Sequence, residues 1–274
     1  MSNFFVKDIR GVIPAMVTPF DENEALDLAR TRALTAKLIE DGAQGLYLTG
    51  STGEGFLCTS DERKAFVETV LDEAAGRIPV IVHVGAISTL ASEDLARHAA
   101  RAGAAAISSV PPIYWKFSDD QIAAYYSDLV QAAGIPMFDI FRIKEALGQD
   151  FAVYSGSDEL AVSGLAFGAD GIIGSTYNVL TPLFLKLNAQ MAAGDVIAAR
   201  ETQKIANKLI FALLARGLMP SLKATLTLGG RVDGGISRRP FFQLTEEQHE
   251  ALKAEYRAIK AAHGDLGLDF LKAL

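Results

Sequence analysis

The sequence predicts an α/β chain of the (β/α)8 TIM-barrel type, with about one βαβ unit missing after Phe138 and a helical C-terminal extension. Three observations carry that expectation. Short β-branched runs alternate with longer segments of helical period. A single return device recurs: Asp41-Gly42-Ala43-Gln44-Gly45, Ala102-Gly103-Ala104-Ala105-Ala106 and Phe167-Gly168-Ala169-Asp170-Gly171 each close a helix on Gly and enter a strand through small residues. No Rossmann-type Gly-rich fingerprint supports an open doubly wound sheet instead.

The first four units are regular. Strands are expected over Val12 to Thr18, Gly45 to Thr49, Val80 to Val84 and Ala105 to Val110. Helices are expected over Ala25 to Asp41, Ser60 to Gly76, Ser88 to Ala102 and Ser118 to Ala133, with Ser60, Ser88 and Ser118 as N-caps. After Ala133 the rhythm breaks. Gly134-Ile135-Pro136-Met137-Phe138 begins a fifth strand, and Asp139 to Gly148 follows at once with helical spacing. Alternation then resumes: Phe151 to Ser155 as a strand, Asp158 to Phe167 as a helix, Gly171 to Gly174 as a strand, Leu180 to Gly194 as a helix. Six strands and a stub fall about one strand, one helix and one further strand short of eight. The expected division is a barrel over 1–194, gapped near 138–139, with helices over 195–274 packed on it.

Half of the 274 residues are apolar, enough for a large core. A net charge of −7 argues against nucleic-acid and anionic-membrane partners, although Lys223, Arg231, Arg238 and Arg239 are candidates for a local basic pocket. Cys58 is the single cysteine, so no internal disulfide forms, and no leader-like start is seen; the cytoplasm is the expected compartment. Four histidines without ligand spacing argue against a metal, and no cofactor is implied. The most informative run is Gly50-Ser51-Thr52-Gly53-Glu54 at a strand's carboxyl end, where hydroxyls and glycine-permitted backbone approach suit the carboxylate of a small keto acid.

Taken together, Thr18-Pro19-Phe20, the Gly50 to Glu54 loop, Val82-His83-Val84-Gly85, Pro111-Pro112-Ile113-Tyr114-Trp115, Ser155-Gly156-Ser157-Asp158-Glu159, Gly174-Ser175-Thr176-Tyr177-Asn178 and Arg239-Pro240-Phe241 resemble, in order, the motifs of the dihydrodipicolinate synthase and N-acetylneuraminate lyase family of pyruvate-dependent class I aldolases. Ser51, Asp158-Glu159 and Ser175 to Asn178 resemble the lyase branch more than the synthase branch. The resemblance implies a lyase that cleaves N-acetylneuraminate, or a related 2-keto-3-deoxy sugar acid, to pyruvate and an aldehyde. A catalytically inactive binding or scaffold relative and a synthase-like condensation are the alternatives.

By the same resemblance, Ser51 and Thr52 hold the pyruvate carboxylate, and Gly156, Asp158, Glu159 and Ser175 bind sugar-derived hydroxyls. Tyr114 supports a tyrosine relay in a neighbouring subunit of a homotetramer. On their own, Asp158 and Glu159 also suit the start of the helix they open, and Tyr114 with Trp115 suits an interface. The family's Schiff-base lysine is the electron sink of the reaction, and a tyrosine in Tyr-Asn-x-Pro moves protons. No Tyr-Asn-x-Pro follows Met137-Phe138, and the segment carrying both residues, roughly thirty residues or one βαβ crossover, is missing. Lys144, in Ile143-Lys144-Glu145-Ala146, is the only substitute lysine that suggests itself, but the stripe Ile140, Ile143 and Leu147 puts it on the solvent face of a helix. Tyr154 reads as a strand residue filling core space.

Overall fold

The computed structural model describes Phe4, residues 9–134, residues 137–138 and residues 153–274. The helix expected over Asp139 to Gly148, Lys144 within it, and Phe151 lie outside the described residues.

The described residues form seven short parallel strands: β1 (Gly11–Pro14), β2 (Leu46–Leu48), β3 (Val80–His83), β4 (Ala106–Ser108), β5 (Met137–Phe138), β6 (Tyr154–Ser155) and β7 (Gly171–Gly174). Ladders give the orders β2-β3-β4-β5 and β1-β7-β6. The two sheets meet where Ala15 bridges Tyr47, with Met16 N–H donating to the Tyr47 carbonyl at 2.9 Å. The combined order is therefore β6-β7-β1-β2-β3-β4-β5; among the described residues no ladder joins β5 to β6. Inward-facing residues of six strands, Ile13, Tyr47, Ile81, Ala106, Tyr154 and Ile173, pack in one cluster, which requires the sheet to be rolled rather than open. Their alternate neighbours Val12, Leu46, Leu48, Val80, Val82, Ile107 and Ile172 face the helical layer.

That layer begins with α1 (Leu28–Glu40), α2 (Ser60–Ala74), α3 (Thr89–Ala102) and α4 (Asp119–Ala133), each packed on the next. Ser88 and Ser118 cap α3 and α4 through their hydroxyls, as their sequence positions predict. At α2 the cap lies one residue earlier than expected. Thr59 forms a reciprocal capping box with Glu62, and Ser60 is the first helical residue. Gly42, Gly103 and Gly168 all adopt positive φ at the helix exits, so the repeated return device is a backbone requirement. The helix expected over Asp158 to Phe167 is split into a 3-10 turn, Asp158–Leu160, and α5 (Ala161–Ala166). After α6 (Tyr177–Ala192), the chain continues as α7 (Val196–Leu214), α8 (Leu218–Leu228), α9 (Glu246–His263) and α10 (Asp269–Lys272). The chain turns by 110° between α7 and α8, at Gly217 with φ +89°. Among the described residues no single helix is long and apolar enough to cross a membrane.

Candidate functional site

The strands end at one face, and the loops leaving them enclose a cavity of about 350 Å3 lined by Ser51, Thr52, Ser108, Gly156 and Ser175 among others. Its position follows from parallel strand direction: side chains after the carboxyl ends converge on the barrel axis.

The Gly50 to Glu54 loop is built by close packing. None of Gly50, Gly53 and Gly55 has positive φ; the left-handed residues are Thr49 (φ +57°) and Glu54 (φ +52°). The glycines are required for space instead. A Cβ on Gly50 would sit 2.6 Å from the Tyr47 ring, one on Gly53 3.0 Å from Thr49 N, and one on Gly55 2.0 Å from the Thr49 carbonyl. The unusual Thr49 backbone is held by its own hydroxyl, which donates to the His83 carbonyl at 2.7 Å. Gly55→Ala is expected to destabilise the protein by roughly 1–3 kcal/mol, because backbone rather than a flexible side chain must give way; the urea midpoint measures it.

Beneath the loop lies an ion pair. Lys223 Nζ is 2.5 Å from Glu54 Oε1, with both side chains almost wholly out of solvent. The ammonium also donates to the carbonyls of Thr18 and Ile236 at 2.7 and 2.6 Å, and Glu54 Oε2 accepts from Arg238 N–H at 2.8 Å. Burial pulls the Lys223 ammonium below its usual range, opposed by the Glu54 carboxylate. Arg238 pairs with Glu62, holding that carboxyl down at about 2. Arg239 pairs with Glu24, and Arg231 with Glu40, Asp41 and Asp269. The four cations considered for a basic pocket are thus ion-paired, and none of them lines the cavity.

Ser51, Thr52, Gly156 and Ser175 are brought together on the cavity, and Thr52 and Ser175 share a 2.6 Å hydroxyl–hydroxyl hydrogen bond. Asp158 and Glu159 do not line it. The Asp158 carboxylate is buried and accepts from Thr176 N–H at 2.9 Å and from the Thr176 hydroxyl at 2.5 Å. It therefore serves the start of α6, not the helix it opens. Burial pushes its carboxyl up to about 6 against those hydrogen bonds. Gly174 makes room for it, since a Cβ there would lie 2.1 Å from Asp158 Oδ1. Glu159 is half-buried, and its carbonyl accepts from Asn207 Nδ2. Tyr114 is 88% exposed at φ +84°, packed edge-on to Trp115 at 4.8 Å and away from this chain's cavity. Asn178, which sequence reading grouped with Ser175, is a staple: its side-chain oxygen accepts from Val17 N–H and its amide donates to Ala15 and Ser175 carbonyls.

Tyr47 and Ser108 line the cavity too, and sequence reading passed over both. The available signal was alternation, since Tyr47 lies between two outward-facing leucines directly before the Gly50 loop. The Tyr154 ring also lines the cavity, while its hydroxyl donates to the Ile9 carbonyl, in keeping with a space-filling strand residue. His83 accepts from Val110 N–H through Nε2, and burial next to Arg63 pushes it down to about 4, so it is neutral at pH 7.

Residues 8–138 and 137–259 each match the dihydrodipicolinate synthetase family. The N-acetylneuraminate lyase of Rhizobium meliloti (strain 1021) is 35% identical over 281 aligned positions, covering 89% of this chain and 93% of that protein. Among solved structures, a catalytic lysine mutant of the Ruminococcus gnavus sialic acid aldolase superimposes with a TM-score of 0.89 at 28% identity, covering 96% of this chain and 98% of that one. CdNal from Clostridium difficile, in complex with mannosamine, gives 0.88 at 26%, covering 92% and 99%.

Proposed function

Because the chain belongs to the dihydrodipicolinate synthetase family, we propose that it is built as a pyruvate-dependent class I aldolase-type lyase for N-acetylneuraminate or a related 2-keto-3-deoxy sugar acid, with its covalent step impaired. One observation carries the keto-acid part: the hydroxyls of Ser51, Thr52 and Ser175 converge with Gly156 on a cavity at the strands' carboxyl ends. Hydroxyl donors suit a carboxylate, because a charge-assisted hydrogen bond is stronger than a neutral one. Ser51 and Thr52 take the pyruvate carboxylate in this reading, and Gly156 and Ser175 lie next to the sugar-derived hydroxyls. Asp158 and Glu159 contribute from the rim if the Asp158 bond to Thr176 opens. Tyr114, presented to solvent by its loop, enters the cavity of a neighbouring copy in a homotetramer.

Three observations support impairment. No Tyr-Asn-x-Pro is present in the chain. Of the R. meliloti alignment, 89% of 274 residues is about 244, some 37 short of the 281 aligned positions, and the two family matches meet at 137–138. Among the described residues no lysine lines the cavity, and Lys223 uses its three N–H groups on three acceptors, leaving no lone pair for a carbonyl carbon. The same observation favours a second reading, a non-catalytic relative that binds keto acids without covalent capture.

Incubation with pyruvate and borohydride, followed by intact-mass measurement, separates the two. The expected outcome is an unchanged mass at the 29.3 kDa of this chain. A reduced pyruvate adduct mapped to a lysine, with Lys144 the first to inspect, would mean that Schiff-base chemistry survives; an untreated mass above the calculated one would show a longer chain.

A further inference from the structure

The cavity carries a second hydroxyl pair that no family motif quoted above includes. Tyr47 OH and Ser108 Oγ lie 3.2 Å apart, and both residues line the cavity. Their placement is rigid. Tyr47 follows from β2 alternation, its ring is pressed over Gly50 where no Cβ fits, and its face is tilted against His83 at 6.4 Å. Ser108 ends β4 pointing inward, whereas the next residue, Ser109, bonds outward to Tyr125.

Two hydroxyls joined by one hydrogen bond keep one proton and three lone pairs, and among the described residues neither group has another partner. The pair thus offers a single donor. A carboxylate is matched poorly by one donor, and on the β7 side of β2 the Thr52–Ser175 pair and the Ser51 hydroxyl together supply two. One neutral acceptor oxygen is matched well. In a keto acid held by its carboxylate, that oxygen is the C2 carbonyl. Where no lysine converts the carbonyl to an imine, it stays an oxygen and requires a donor when it leaves water.

We propose that Tyr47 and Ser108 form the keto-oxygen subsite of the cavity, so that this chain selects 2-keto acids over simple carboxylic acids by non-covalent recognition. The inference rests on the keto-acid reading above and adds to it the group that distinguishes ligands. Tyr47 and Ser108 act as specificity-determining residues, and Thr52 as the carboxylate contact common to all ligands.

Titrations of the full chain with pyruvate and with propionate, which keeps the carboxylate and lacks the keto oxygen, test the assignment. The unsubstituted chain is expected to prefer pyruvate by about tenfold, the worth of one well-placed hydrogen bond. Tyr47→Phe and Ser108→Ala each bring that ratio to within about twofold of unity by weakening pyruvate alone, while Thr52→Val weakens both ligands alike. Ser108→Ala carries the test if Tyr47→Phe loses its native near-ultraviolet circular dichroism. A tenfold ratio retained in both variants overturns the subsite and leaves the carboxylate reading standing. No binding of either ligand to the unsubstituted chain overturns both.

Discussion

Replacing Lys223 by methionine is expected to destabilise the protein by about 3–5 kcal/mol, because it strands the Glu54 carboxylate where its side chain is closed off from solvent. The shapes of lysine and methionine are similar enough that lost packing is a small part of this effect. The larger part is electrostatic. Among the described residues Glu54 keeps only the Arg238 backbone N–H, and the carbonyls of Thr18 and Ile236 lose the donor they share. Glu54→Gln in the same chain removes the unpaired charge and is expected to recover roughly half of the loss, so the double-mutant cycle in urea reads the coupling directly. Independent losses that simply add would show that the pair is not coupled. The consequence reaches the cavity, since Glu54 closes the loop that carries Ser51 and Thr52, and the ion pair ties that loop to α8 and to residues 236–238. A weakened loop loses the Thr52 to Ser175 hydrogen bond before the barrel itself opens.

That pair also shows where sequence reading stops. Strand and helix identity are carried by local pattern, so the alternation of Leu46, Tyr47 and Leu48, the Gly exits of α1 and α3, and the Ser118 cap were all legible. The placement of the Gly50 to Glu54 loop at a strand's carboxyl end was legible for the same reason. Its internal logic was not, because the glycines are required by Tyr47 and Thr49 packed against them and not by their own φ. Longer-range partners left no local trace. Glu54 meets Lys223 across 169 positions, and Asn178 meets Val17 across 161. A carboxylate in Gly156-Ser157-Asp158-Glu159 reads equally as a ligand contact or a helix cap until its acceptor role toward Thr176 is seen.

Asp158→Asn is expected to remove a pH-dependent penalty from the folded state. With its carboxyl raised from 3.8 to about 6 by burial, Asp158 holds a proton in the folded chain that the unfolded chain has already released. Below pH 4 both states are protonated and no penalty exists. As pH rises from about 4 to 6, the unfolded chain binds fewer protons than the folded one, so stability falls; above 6 the penalty is constant at about 3 kcal/mol. An asparagine keeps one oxygen to accept from Thr176 N–H and carries no charge, and its amide lies beside Gly174 with the buried Tyr177 hydroxyl, which has no hydrogen-bond partner among the described residues. Urea midpoints of the two proteins are expected to coincide near pH 4 and to separate by pH 7 in favour of the variant; parallel profiles would show that Asp158 titrates normally. A buried acid that destabilises the fold at neutral pH is what a carboxylate kept for a ligand would look like. In the proposed sugar-acid reading, sugar hydroxyls at the rim of the cavity would be its partners, each adding a donor to a charge that burial leaves under-solvated. Sialic acid affinity lowered in Asp158→Asn while stability rises is therefore the joint outcome expected of a substrate contact, and unchanged affinity would leave Asp158 as the cap of α6 alone.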